Sequence, residues 1–250
     1  LRALFKAEPK RCYNLLFTVT AQALRDVVLS KLGGAPAALG VLHTWSRQLV
    51  FHPHLHYIVP GGFLAENRLR WIRLKNPKFL LPERVLGRRV RSLFRRHLAQ
   101  RPELFVPAVV WQKEWIVHTQ PVGSGEKALS YLANYVQRTA LSSQRILKEE
   151  NGQTTFRYRQ SDTGAWKVMT LATPEFLRRF LQHVLPSGFH RVRYFGWWSP
   201  AAKTKWERIL ALLDWKAPSR PLPRPVWVKT CPCCGKPMDR LGQLPRGPPT

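Results

Sequence analysis

The sequence predicts an α+β fold, an antiparallel sheet with flanking helices, plus a small cysteine-containing appendage at the carboxy terminus. Three observations carry that expectation. Helical three- and four-residue spacing of apolar residues alternates with short runs rich in Leu, Val, Ile and Tyr. Turn signals such as Asn151-Gly152 and Asp162-Thr163-Gly164 join neighbouring runs into tight hairpins. A stretch spaced by Pro218, Pro221, Pro223 and Pro225 reads as an extended linker, separating Cys231-Pro232-Cys233-Cys234 from everything before it.

From Arg11 to Lys31, Leu15, Leu16, Val19, Ala23 and Val27 recur at helical spacing, and Gly33-Gly34 stops the run. Ala38 to Thr44 and His54 to Pro60 read as strands, the second closed by Gly61-Gly62, and Leu69 to Leu74 as a third. Pro82 to Ala99 is an amphipathic helix that sets Arg84, Arg88, Arg91 and Arg95 along one stripe. A solvated face is the plain alternative for that stripe. Glu114 to Gln120 reads as a strand, and Pro121 to Gly125 as a loop into a helix from Glu126 to Arg138. Ser143 to Leu147, Thr154 to Arg159 and Trp166 to Leu171 are strand-like; Pro174 to Val184 and Ala201 to Leu213 are helical. Residues 1–216 are thus expected to form the main domain, 217–230 the linker and 231–250 a short tail.

Composition narrows the partner. Lys and Arg number 41 against 14 Asp and Glu, a formal charge of +27 over 250 residues. Such self-repulsion suits a protein whose partner is a polyanion, and nucleic acid is the first candidate. No apolar run approaches the ~20 residues of a spanning helix, and no amino-terminal signal pattern is present. Four cysteines, three of them in one cluster, are not a disulfide framework and fit a reducing compartment. Trp197-Trp198 with Lys203, Lys205, Arg191 and Arg193 interleave aromatics and cations as a single-strand stacking surface does, or as core and rim do.

Two segments carry chemistry. In His52-Pro53-His54-Leu55-His56, strand alternation sends the three imidazoles to one side. Neutral imidazole is a common ligand for transition-metal ions, and donors two residues apart on a strand form a half-site with coordination positions left open. His52 is the weakest of the three, because Pro53 cannot donate to a ladder. In Tyr131-Leu132-Ala133-Asn134-Tyr135, the hydroxyls lie one helical turn apart on one face. Paired aromatics at this spacing are commonly core packing; beside a metal site they become candidate nucleophiles.

A His-hydrophobic-His strand followed by a Tyr-x-x-x-Tyr helix in a very basic chain resembles the HUH superfamily of single-strand endonucleases. The wording around these motifs looks like the insertion sequence 91 family of two-tyrosine transposases. It comprises Leu42-His43-Thr44-Trp45, His52 to His56 running into Val59-Pro60-Gly61-Gly62, Tyr131 to Val136 with Arg138, and Phe180 to Pro186 with Gly188-Phe189. The resemblance implies an HUH-endonuclease-like antiparallel sheet of five strands with the histidine strand central, and a tyrosine helix whose hydroxyls face the metal. His54 and His56 would hold Mg2+ or Mn2+, with His52 or Gln137 as candidates for the third ligand. Tyr131 and Tyr135 would be the nucleophiles, forming 5′-phosphotyrosine links to single-stranded DNA at element ends and target during rolling-circle transposition. Arg138, with Arg84, Arg88, Arg91 and Arg95, would contact DNA. A bacterial cytoplasmic protein, on the nucleoid when acting, is implied.

This chain departs from the family in two respects. Asn134 stands where the family's tyrosine motif commonly has Arg. The family's amino-terminal cysteine-rich zinc module and early edge strand are expected to lie ahead of residue 1, as in an amino-terminally truncated chain. Cys231 and Cys234 have the spacing of half a Zn2+ site, with Cys233 available as a third donor and Cys12 remote. Two other readings stay open: a His-metal hydrolase that uses water as nucleophile, and an inactive transposon-derived DNA-binding remnant.

Overall fold

The structure, a computed structural model, describes residues 1–76, 78, 80–101, 103–123, 125–137, 139–160, 162–216, 230–231 and 233–238; the side chains at 129, 132, 134, 135 and 137 are outside that description. It divides into two units, Leu1–Asp214 and Trp215–Thr250. Of the expected linker at 217–230, residues 217–229 fall outside the described residues.

The first unit begins with helices α1 (Arg2–Ala7) and α2 (Pro9–Leu32). Pro9 suits the first turn of α2, where an amide hydrogen has no partner in the helix. Gly33 ends it in the left-handed region at φ 69°, its N–H donating to the Leu29 carbonyl at 2.9 Å. Strands β1 (Gly34–Ala35), β2 (Ala37–Trp45), β3 (Phe51–Ile58), β4 (Gly62–Ala65) and β5 (Trp71–Arg73) follow, then α3 (Glu83–Ala99), a single turn α4 (Val109–Gln112) and α5 (Gly125–Gln137). A hairpin meander β6 (Ile146–Glu150), β7 (Gln153–Arg159) and β8 (Trp166–Ala172) leads to α6 (Thr173–Leu181), β9 (Val192–Gly196) and α7 (Lys203–Leu212). Among the described residues no helix is long and apolar enough to cross a membrane.

The strands are antiparallel and form three three-stranded sheets, β1-β4-β5, β3-β2-β9 and β6-β7-β8. This corrects the expectation of one five-stranded sheet with the histidine strand in the middle. Among the described strands β2 is the central one, and the histidine strand β3 pairs with it on one side. The physical reason is register: β9 zips onto β2 from Ala37↔Gly196 to Val41↔Val192, so the remote strand takes the free edge of β2 and not that of β3. The expected third strand is also shorter and belongs elsewhere, to β4.

The main core lies between the helices and one face of β2 and β3. Phe17, Val28, Leu42, Leu93 and Phe94 are buried there with Leu55 and Tyr57 against them. Each such large apolar side chain contributes ~1.5–3 kcal/mol by leaving water. Helix α3 is fastened to α2 by Arg89, whose guanidinium meets the half-buried Asp26 carboxylate at 2.5 Å. Leu49, Leu141, Phe156, Tyr158 and Phe176 form a second core under β7 and α6.

The segment expected to be a strand at Glu114 to Gln120 has no sheet partner. It runs along α3 instead, because that helix supplies the hydrogen bonds a ladder would give. Arg91 donates to the Lys113 carbonyl at 3.0 Å, and the Glu83 carboxylate accepts from the Thr119 N–H at 2.5 Å. The approach is close at Gly87: a Cβ there would stand 2.2 Å from the Trp115 carbonyl oxygen. Gly87→Ala is therefore expected to push the segment off α3 and cost ~1–3 kcal/mol, read as a lower urea midpoint. An unchanged midpoint would show that the segment is loosely held.

Candidate active site

The candidate site is built on the β2–β3 hairpin. Alternation along a strand sends His54 and His56 to one face and Leu55 and Tyr57 to the core. Register then adds a residue from the neighbouring strand: His43 pairs directly with His54, and Val41 with His56. The ring centroids of His43 lie 5.6 Å from those of His54 and 4.8 Å from those of His56, with His54 and His56 4.9 Å apart. One donor atom from each of the three falls within 4.8 Å of the others, the group among the described residues that could hold a metal ion. His43 is 3% exposed and stacks on Trp45 at 4.6 Å, which fixes its ring.

His52 is outside this group, and Pro53 explains why. Pairing slips between His43 and Trp45, whose partner is Phe51, so the ladder is irregular opposite the proline that cannot donate to it. His52 is exposed, yet its backbone matters: the His54 Nδ1 lies 2.7 Å from the His52 carbonyl oxygen. A carbonyl only accepts, so Nδ1 carries the hydrogen in this contact and Nε2 keeps its lone pair for a metal. Burial, the largest influence, holds the His54 imidazole below its ordinary pKa, which favours the neutral ligand form. These residues fit a metal. The third imidazole, His43, stands in the strand expected from Ala38 to Thr44 but is not among the expected ligands, since cross-strand register is not legible from a period. Gln137, the other candidate third ligand, has its side chain outside the described residues.

Tyr131 and Tyr135 lie on α5, the helix expected from Glu126 to Arg138 and observed at Gly125–Gln137, and α5 packs against β3. Tyr131 is half-buried, and the Gln120 side-chain amide donates to its hydroxyl at 2.9 Å. The Tyr135 side chain and all of Arg138 fall outside the described residues. Arg191 couples the tyrosine helix to the histidine sheet: its carbonyl accepts from the Leu42 N–H at 2.9 Å, beside His43, and its guanidinium donates to the Val136 carbonyl on α5. A cation at the carbonyl end of a helix is favoured by the aligned peptide dipoles. Sequence reading placed Arg191 only among cations near aromatics.

A second support comes from beyond α6. Leu49, in the turn between the strands, is held at φ 58° and fully buried. Its carbonyl lies 3.1 Å from the Gln182 amide and 3.2 Å from His183 Nε2, while His183 Nδ1 is 3.3 Å from the Thr44 hydroxyl. Because the carbonyl only accepts, Nε2 bears the hydrogen, and burial favours the neutral ring, in which Nδ1 accepts from Thr44. Burial is the leading cause that lowers its pKa from 6.5. Between 6.5 and that lower folded value the unfolded chain binds more protons. Stability is thus complete above that window and falls as pH drops through it. The expected result is a smaller loss of unfolding free energy between neutral and mildly acid pH in His183→Gln than in the parent; equal losses would contradict a neutral His183.

The arginine stripe divides. Arg84 faces Glu114 at 3.6 Å, whereas Arg88, Arg91 and Arg95 line a shallow groove with Arg96 and Trp111. Trp197 is core: it is buried with Leu64 and Ile209, and its indole N–H donates to the Ala35 carbonyl at 3.1 Å. In the second unit, Thr230 bridges to Pro237, the Cys231 N–H donates to the Lys236 carbonyl at 2.8 Å, and the Gly235 N–H donates to the Cys231 carbonyl at 2.9 Å. Hydrogen bonds from the Cys234 and Cys233 backbone hold the Cys231 thiol below its ordinary pKa. The Cys234 and Cys233 side chains lie within hydrogen-bond reach of the Cys231 thiol.

The family model described as "Putative transposase" matches residues 37–205, which hold both the histidine strands and the tyrosine helix. A protein of Sinorhizobium fredii named "Putative transposase y4qJ" is 40% identical, over 74% of this chain and 52% of its own length. The transposase for insertion sequence element IS801 of Pseudomonas savastanoi pv. phaseolicola is 31% identical, over 73% of this chain and 46% of its own. The chain spans about half the length of the curated relatives it matches. No solved structure matches. The match across the histidine hairpin and the tyrosine helix places this chain in that transposase family, of the insertion sequence 91 type.

Proposed function

We propose that the chain nicks and rejoins single-stranded DNA at transposon ends through 5′-phosphotyrosine intermediates, with a divalent ion held by His43, His54 and His56. The observation that carries this reading is the convergence of three imidazoles on the sheet face of β3, the strand against which the tyrosine helix packs. A cation there would draw charge from the non-bridging oxygens of the scissile phosphate. Of Mg2+ and Mn2+, the nitrogen donors suit Mn2+ better, since Mg2+ prefers oxygen ligands and parts from water reluctantly.

The protein's own part is nucleophile and alignment. The tyrosine Oη bonds to phosphorus as the P–O3′ bond breaks; Oη gives up its proton and the departing O3′ gains one. A free phenol has pKa ~10, so the Gln120 amide at Tyr131 favours the anion by donating to the oxygen on which charge collects. The link keeps the phosphodiester's energy, and a 3′-hydroxyl attacking it reverses the step without a nucleotide cofactor. The second tyrosine serves the other cleavage. We take residues 1–216 as the catalytic domain, 217–230 as its linker, and Cys231 with Cys234 as half of a Zn2+ site, which a metal-to-protein ratio tests.

The function is tested by incubating the protein with labelled single-stranded DNA bearing an element end and Mn2+. A denaturation-resistant protein–DNA adduct, absent when Mn2+ is chelated, is expected. DNA bound without any adduct would instead favour a remnant that only binds.

A further inference from the structure

We infer that the groove between α3 and the turn at Trp111 is a second nucleic-acid site, one that holds a single strand on the face of the protein away from the histidines. The inference rests on the proposed action on DNA and adds where a further part of the strand is held.

Arg88, Arg91, Arg95 and Arg96, with Ser92, Ala99 and Trp111, enclose a groove of about 410 Å3. Four guanidiniums within nine helical residues repel one another, and among the described residues none of the four meets a carboxylate within ion-pair distance. This contrasts with their neighbours: Arg84 has Glu114 at 3.6 Å and Arg89 has Asp26 at 2.5 Å. The missing anion is supplied from outside. Arg88 to Arg96 spans ~12 Å along the helix axis at ~1.5 Å per residue. One phosphate cannot satisfy that row; successive phosphates of a chain can.

Trp111 decides which kind of chain. It forms one wall, comes from a different element, and stacks on Trp115 at 6.1 Å, which in turn packs on Phe94 at 5.3 Å. The ring is braced from behind, half-exposed, and set beside the cations. Unpaired bases stack on such a ring, whereas a duplex offers a side-chain aromatic no free base face. The position is separate from the histidines: α3 packs on α2, α2 on the Leu42 and Tyr57 face, and His43, His54 and His56 occupy the opposite face of the same strands. The nucleotides at the histidines cannot be those in the groove.

Equilibrium binding of a fluorescent single-stranded oligonucleotide across a salt series tests this with the full chain. Each phosphate contact to a single strand contributes ~0.7 to the slope of log affinity against log salt. Changing Arg88, Arg91, Arg95 and Arg96 together to Gln is expected to reduce that slope by ~2–3, and changing them to Lys to leave it near the parent value. Trp111→Ala is expected to weaken single-strand binding ~10-fold with little change of slope, and Trp111→Phe to restore most of it. A parent-like slope in the Gln variant overturns the groove while leaving the proposed function standing. A Trp111→Ala variant that binds as the parent does, with duplex bound as well as single strand, overturns the single-strand assignment. A parent protein that binds no single-stranded DNA overturns both readings.

Discussion

His43→Ala is expected to weaken Mn2+ binding by at least ~10–100-fold, the range seen when even a residue supporting a metal ligand is lost. His54→Ala and His56→Ala are expected to match it. His52→Ala leaves the backbone carbonyl that holds His54 Nδ1 and should change affinity little. Titrating free Mn2+ by electron paramagnetic resonance separates the four variants. If His52→Ala falls with the others while His43→Ala retains affinity, the imidazoles are arranged along β3 and not across the hairpin. The effect on DNA cleavage follows, because a cation at the scissile phosphate is worth several kcal/mol in the transition state.

That prediction turns on the part of the site hardest to read in a sequence. Strand alternation makes His54 and His56 visible as a pair and offers His52 beside them, with Pro53 already marking His52 as the weakest of the three. Removing His52 and adding His43 takes two facts of three-dimensional pairing: the slip opposite Pro53, and the register that sets His43 against His54. Periodicity is blind to both. The helices α2, α3 and α5 and the β6-β7-β8 meander are legible because their signals are local: a Gly-Gly stop, an apolar stripe, and Asn151-Gly152 between two runs. The segment 114–120 misled because an extended, alternating stretch looks alike whether a sheet or a helix side supplies its partners; here Arg91 and Glu83 do. Arg191, Gln120 and His183 support the site through long-range hydrogen bonds, for which short motifs carry no trace.

The second large effect concerns the proposed nucleophiles. Tyr131→Phe and Tyr135→Phe are each expected to leave some covalent adduct, since positions four apart on a helix share a face, whereas the double variant forms none. Tyr13 and Tyr57 are poor substitutes. Tyr13 is buried, and burial pushes its phenol up to about 12, while Tyr57 is pushed higher still by the same cause. If either single variant abolishes the adduct, the tyrosines are not interchangeable, and the one removed performs the first cleavage. Metal affinity should be unchanged in all three variants, because the three imidazoles of His43, His54 and His56 supply the donors.

The most direct test locates the bond itself. After reaction with single-stranded DNA and Mn2+, nuclease trimming and trypsin digestion, mass spectrometry should find a nucleotide-phosphate attached to the peptide 128–138, which contains Tyr131 and Tyr135. Nicked DNA carrying free 5′-phosphates, with that peptide unmodified throughout, would contradict the account and assign the cleavage to water.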